Sequence, residues 1–427
     1  MRIGILGGGL SGIALQRFLR HESVVLEKEE RPGGLCRTLE KNGFKYDIGG
    51  HILFSKDQKI MEVVKAILGD NINHCRRANK ILYKGRYVKY PFENGLGALD
   101  KEDIYECLIG YLKNEHPKPN NFEEWIYYTF GDGIARQYLV PYNEKIWKEP
   151  LRNISVDWVE RVPKPPLEDI VRSCLGIETE GYLHQLFFLY PTEGGIESLV
   201  KMARKEDGQV VTNFEVKTIR KKGKGWVVAN GSEEHVFDKL VVTIPMTEAI
   251  ACFEDVPSAV KNAASLLRSN IIRTIMIGVS NESLMDKSAI YIPQSDTIFH
   301  RICFMGFFSK NNVPSSCSSL VAEVTTHPSL ESESISDEGL IELVIGQAAA
   351  LGIIDRKDVV ETDAFTAQYG YVIHDLNRAD SMRTLRLYFD SLGIDLHGRF
   401  AEFEYINMDE VLHRSVALAE KLNGLPE

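Results

Sequence analysis

No stretch of this 427-residue sequence reaches the ~18 uninterrupted apolar residues that a membrane span needs. Cysteine is sparse, seven in all, and Cys36, Cys75, Cys107, Cys174, Cys252, Cys303 and Cys317 fall at no paired spacing. An odd, dispersed set argues against a disulfide framework and against a zinc site. No metal is therefore expected, and the thiols read as reduced, in a cytoplasmic protein. Positive charge is not in excess either: 50 Lys and Arg stand against 60 Asp and Glu, a net charge of -10. That balance argues against a nucleic-acid partner or an anionic-membrane surface, so attraction for an anionic ligand must come from a few local arginines. Repeats and low-complexity tracts are lacking as well, and nothing sets an oligomeric state. What remains, 44% hydrophobic and 26% charged residues, is an ordinary globular balance. The length suits one large domain or two to three interleaved ones.

What is present begins at the N-terminus. The first fifteen residues, MRIGILGGGLSGIAL, are apolar after one arginine, as a secretory signal would be. Their glycines instead follow a nucleotide-binding pattern, and Arg17, Arg20 and Glu22 come within a few positions. Residues 2–6 read as a short buried strand, 11–20 as a helix and 24–27 as a second strand, a βαβ opening. Between the first two, Gly7-Gly8-Gly9-Leu10-Ser11-Gly12 fits GxGxxG. Gly7 permits the tight turn, Gly9 lets backbone approach a pyrophosphate, and Gly12 lets helix and strand pack closely. The N–H groups at Leu10 and Ser11 open the helix, at its positive end. Glu27, followed by Lys28, ends the second strand about 20 residues after Gly7, placed to accept hydrogen bonds from ribose hydroxyls.

Further on, residues 44–47 read as extended and 58–68 as helical, and 80–90 as a hairpin around Lys84-Gly85-Arg86. The pattern over 101–143 is helical, with Trp125, Tyr128 and Tyr138 read as core aromatics. Residues 149–166 hold Pro150, Pro163, Pro165 and Pro166, an irregular connection. Gly194-Gly195 opens a helix ending near residue 206. Three β-rich runs follow, at 209–219, 225–229 and 236–244; residues 320–325 are extended, and 336–351 and 408–422 helical. This order implies an α/β fold. Its GxGxxG Rossmann-like domain takes residues 1–75, 195–265 and 395–427. A mixed-sheet substrate domain with a helical subdomain takes 76–194 and 266–394.

Arg31-Pro32-Gly33-Gly34-Leu35-Cys36-Arg37-Thr38 resembles the second glycine motif of the flavin amine oxidase superfamily. Gly398-Arg399-Phe400, followed by Asn407-Met408-Asp409, resembles its closing motif, where a helix N-terminus faces the flavin pyrimidine edge. The cofactor implied is FAD. A narrower resemblance, to the UDP-galactopyranose mutases, rests on several blocks in order. Gly49-Gly50-His51-Ile52-Leu53-Phe54-Ser55 is similar to their histidine loop, and Tyr90-Pro91-Phe92-Glu93-Asn94 to the segment that grips uracil. Pro141-Tyr142-Asn143-Glu144-Lys145-Ile146-Trp147 is similar to the block that sets an asparagine and a tryptophan against the nucleotide sugar. Arg161 follows at the spacing of a mobile-loop arginine. Phe299-His300-Arg301 matches the segment of a second diphosphate arginine, and Tyr405 the position of a tyrosine near the phosphates.

The resemblance implies cofactor contacts at Gly34, Leu35, Arg37, Gly49, Gly50, His51, Val216, Gly398, Arg399, Asn407 and Met408. It implies substrate contacts at Tyr90, Phe92, Glu93, Asn143, Trp147, Arg161, Gln185, Arg301 and Tyr405. His51, Arg161 and Arg301 would carry the catalysis. The reaction implied interconverts the pyranose and furanose forms of a UDP-sugar through a flavin N5–sugar adduct. It has no net redox, needs reduced FAD, and belongs to polysaccharide biosynthesis. Two departures stand out. Glu93 replaces a glutamine, and an ionised carboxylate cannot donate to a uracil carbonyl. Residues 181–188 do not resemble the usual mutase wall. An FAD-dependent oxidoreductase of the protoporphyrinogen oxidase or amine oxidase type stays open as the alternative, as does a flavin-binding protein without turnover.

Overall fold

The computed structural model describes residues 1–162, 164–180, 186–327, 330 and 334–425, with only the backbone of Arg161. Five short strands form a parallel sheet in the order Asp395–Leu396, Lys239–Val242, Arg2–Leu6, Glu22–Leu26, Gln209–Val211. The apolar run of Arg2–Leu6 takes the centre, with Ile3, Ile5 and Leu6 fully buried. A strand covered on both faces calls for such a continuous run. Helix Leu10–Phe18 packs beside the last helix, Met408–Asn423. There Asn423 donates to the Phe18 carbonyl at 3.0 Å and accepts the Arg20 N–H at 2.8 Å. The layer thus draws on the start, the middle and the end of the chain.

Two expected strands divide. The run over 209–219 breaks at Asn213, which takes φ 55°. Gln209–Val211 stays in the parallel sheet, while Thr218–Lys222 enters an antiparallel meander with Gly225–Ala229 and Glu234–Phe237. The run over 236–244 divides at Asp238, between that meander and Lys239–Val242.

A seven-stranded sheet runs Val359–Ala367, Ile271–Val279, Ser318–Thr326, Arg301–Phe304, Ala289–Tyr291, Asn79–Tyr83, Arg86–Lys89. Every pairing is antiparallel except Ala289–Tyr291 with Asn79–Tyr83. Ile271–Val279 and Ser318–Thr326 are buried along all nine residues each, which makes them its core. The hairpin of the last two strands carries helices Lys101–Leu112, Phe122–Ile134 and Val140–Trp147. The helical stretch expected over 101–143 is therefore interrupted, and Gly131 takes φ 69° where a Cβ would collide with the Gly110 carbonyl. Trp125 and Tyr138 are core, but Tyr128 faces solvent at 48% exposure, which corrects its reading as core. Among the described residues, no helix is long and apolar enough to cross a membrane.

Candidate active site

The first glycine turn is built by contact. Gly7 takes φ 112° and donates its N–H to the Leu26 carbonyl at 2.8 Å. A side chain at Gly12 would strike the Gly7 carbonyl, so helix and turn touch there. At Gly9 a Cβ would meet nothing nearer than Gly34 Cα, 3.9 Å away. That open space is bounded by the second glycine turn, in which Gly33 donates to the Gly8 carbonyl at 2.8 Å. No side chain caps helix Leu10–Phe18, which leaves its first N–H groups for a ligand. Glu27 accepts the N–H of Gly8 at 2.6 Å and of Glu29 at 2.9 Å, fixing its carboxylate at the rim. A Cβ at Gly398 would collide with the Ser11 hydroxyl, so the closing motif is seated on the first helix. Arg399 grips the Ile406 carbonyl through Nε and Nη2 at 2.9 and 2.6 Å, and Asn407 starts the last helix without a side-chain cap. An open cradle between two glycine turns and two uncapped helix starts fits a flavin dinucleotide.

Other expected cofactor residues are placed less centrally. Leu35, Gly49, Gly50 and Met408 line the adjoining cavity. Arg37 donates to the Gly34 carbonyl at 3.1 Å and lies over the Phe365 ring. Val216 accepts the Cys252 thiol at 3.2 Å, two residues past Phe214, whose N–H bonds the Glu27 carbonyl. Lys28 points to Glu248 at 3.9 Å, half exposed.

The cavity reaches from the histidine loop to the seven-stranded sheet. Arg301 and Glu323 are direct partners across adjacent strands. The guanidinium holds the carboxylate through Nε at 3.0 Å and Nη2 at 2.7 Å. The Gly50 N–H at 3.1 Å and the Tyr371 hydroxyl at 3.4 Å donate to the same group. Burial raises the Glu323 carboxyl, but Arg301 and His300 together hold it well below the usual range. Glu323 therefore ties the histidine loop to the sheet. Burial, with Arg399 and Arg301 nearby, lowers His51 to about 4, so the imidazole is neutral at pH 7. Its Nδ1 is buried with no partner among the described residues, an orphaned polar atom beside the cradle. Among the described residues the charged lining consists of Arg77, Arg301 and Arg399 against Glu323, three cations to one anion. Tyrosine hydroxyls come from Tyr291, Tyr371 and Tyr405.

Several of these residues escaped the sequence. Arg77 follows the Asn73–Arg76 strand and lies over the Phe54 ring at 5.2 Å. Tyr291 stacks on Tyr90 at 4.6 Å between centroids, so Tyr90 backs the wall rather than forming it. Glu323 did carry a signal: it is the one charge in the run Ser-Ser-Leu-Val-Ala-Glu-Val-Thr-Thr, and a buried strand with one charge needs a partner.

Other expectations are redirected. Phe92 and Glu93 do not reach the cavity. Pro91 leads into a short turn, Phe92–Asn94, that drives both inward, with Phe92 between Tyr83 and Tyr138. Glu93 is 2% exposed, its Oε2 has no partner among the described residues, and burial raises its carboxyl to about 7. Both side chains thus pack inward, away from the cavity lining. Asn143 accepts the Trp147 indole N–H at 3.2 Å, and the Trp147 ring stands edge-on to Tyr371 and Tyr405. This pair props the cavity tyrosines. Arg161 ends the turn Val159–Arg161, its side chain outside the described residues, as is Gln185.

Comparison with known proteins supplies the class. A family model for an NAD(P)-binding Rossmann-like domain matches residues 5–67. The whole chain shares its fold with an Exiguobacterium protein provisionally assigned as a protoporphyrinogen oxidase. The TM-score is 0.78 at 17% identity, covering 99% of this chain and 98% of that one. That likeness shows a fold held in common with oxidase-type proteins. The likeness in fold to a mutase is greater. A crystal structure of reduced UDP-galactopyranose mutase matches with TM-score 0.90 at 26% identity, over 100% of this chain and 96% of that one. The UDP-galactopyranose mutase of Mycoplasma pneumoniae is 25% identical over 173 residues, 37% of this chain. That segment spans less than half of the curated relative, 43% of its length.

Proposed function

We propose that the chain is an FAD-dependent nucleotide-sugar mutase, interconverting the pyranose and furanose forms of a UDP-sugar without net redox. The observation that carries this reading is the cavity's charge. Three arginines against one carboxylate, among tyrosine hydroxyls, suit a diphosphate and a sugar; a cationic amine would be repelled. When bound, reduced FAD supplies the nucleophile toward the sugar. The chain's own residues do the rest. The Gly9 cradle and the uncapped start of helix Leu10–Phe18 hold the cofactor diphosphate. Arg301, oriented by Glu323, and Arg77 place positive charge where the nucleotide diphosphate departs. Neutral His51 offers Nδ1 for a hydrogen bond without adding charge beside the cofactor. Tyr371 and Tyr405, propped by Trp147, shape the sugar end and exclude water.

Two experiments test this. Gly9→Val should fold, since a Cβ there meets nothing within 3.9 Å, yet lose FAD by filling the cradle. Stoichiometric FAD in that variant would refute the cofactor placement. Dithionite-reduced protein should turn UDP-galactopyranose, or another UDP-hexose of a panel, into its furanose form, and oxidised protein should not. The fold shared with the Exiguobacterium protein keeps an oxidase as the rival. Anaerobic bleaching by an amine or porphyrinogen, with no ring contraction of any UDP-hexose, would establish that rival instead.

A further inference from the structure

His374 stands behind the cavity, 5% exposed, between two parts of the chain far apart in sequence. Its Nδ1 lies 2.9 Å from Asp157 Oδ1, and its Nε2 accepts the backbone N–H of Tyr405 at 3.2 Å. The backbone around it is tied as well: Ser155 donates to the His374 carbonyl at 2.7 Å, and Leu376 to the Asn153 carbonyl at 3.2 Å. Arg378 closes the cluster, with Nη1 on Asp157 Oδ2 at 3.0 Å and Nε on the Phe403 carbonyl at 2.8 Å. Tyr405 forms part of the cavity wall on one side and of a second cleft on the other. The turn Val159–Arg161 begins two residues after Asp157.

Only a group that donates on one edge and accepts on the other can bridge a carboxylate and an N–H. A neutral imidazole does this in one rigid plane. We propose that His374 is a positioning residue. As the Nδ1–H tautomer it locks the Tyr405 backbone to Asp157, so that the cavity tyrosine and the segment leading to Arg161 hold one alignment. The effect on ligand binding rests on the nucleotide-sugar reading; the tie itself does not. Asp157 is suited to its part. Burial raises its carboxyl, but the bonds from His374 and Ser155, with Arg378 beside it, lower it to about 2 and keep it an acceptor.

The test is hydrogen–deuterium exchange on the purified full chain, read on peptides covering residues 403–407, 153–157 and 2–6. His374→Phe keeps a ring and loses both bonds. Exchange at 403–407 and 153–157 should rise about tenfold, the scale of one buried hydrogen bond, with 2–6 unchanged. His374→Gln, which restores a donor and an acceptor, should return both to within about threefold of wild type. UDP affinity, by calorimetry, should fall about five- to tenfold in the Phe variant and recover in the Gln variant. Wild-type exchange at 403–407 in His374→Phe would overturn the proposal. So would a Gln variant as fast as Phe, which would mean that packing alone matters. Should His374→Phe not fold, Asp157→Ala, at a half-exposed carboxylate, must speed 403–407 in the same way or the proposal fails. A wild type that does not bind UDP would sink the nucleotide-sugar reading and leave the exchange result to decide the tie.

Discussion

Two carboxylates lie equally deep in two different regions, and their surroundings make them opposites. Glu93, in the helical region, is 2% exposed and has one oxygen without a partner among the described residues. Glu323, in the seven-stranded sheet, is 1% exposed and is met by a guanidinium, a backbone N–H and a hydroxyl. Burial raises the first to about 7, while its partners hold the second well below the usual range. Depth alone does not set the charge of a buried acid. The set of donors turned toward it does, and at Glu323 those donors include the histidine loop.

The contrast can be broken most severely at Glu323. Glu323→Ala strands the Arg301 charge and frees the Gly50 N–H, and should cost about 3–5 kcal/mol, read as a lower urea midpoint. A loss under about 1 kcal/mol would show that the pair is not structural. Glu93→Gln should act the other way. The folded-state value of about 7 lies above the ordinary 4.5, so the folded chain keeps a proton between those pH values that the unfolded chain releases. Stability from this group therefore falls as pH rises through that window. The glutamine variant should gain about 3 kcal/mol at pH 8 and little at pH 4.5, with UDP affinity unchanged. Equal stability at both pH values, or altered UDP binding, would contradict the buried placement. Tyr371→Phe is the mildest change. It removes two long bonds, one donated to Glu323 and one accepted from Arg301, each 3.4 Å, and should cost about 1 kcal/mol in the same measurement.

The nucleotide end of the molecule was legible because its chemistry is local. Gly12 meets the Gly7 carbonyl within one turn, Gly7 and Gly9 meet Leu26 and Gly34 in or just past the same βαβ opening, and the strand and helix around them follow from their own periodicity. The helix expected over 11–20 forms as Leu10–Phe18, and the final helix expected over 408–422 as Met408–Asn423. The cavity beside it was not legible in the same way. Arg301 meets Glu323 through strand register, Tyr291 reaches the cavity from a strand paired with Asn79–Tyr83, and Arg77 reaches it from the connection between strands of two different sheets. The inward facing of Phe92 and Glu93 was not legible because a short turn after Pro91, rather than the hairpin's alternation, sets it.

The seat of Gly398 on Ser11 has a consequence for the timing of synthesis. A ribosome-bound chain emerges with its glycine turn first, yet the strand and helix that complete that turn belong to residues 395–423. Until residues 395–423 have left the ribosome the nascent turn lacks one wall, so any dinucleotide capture there must wait for them.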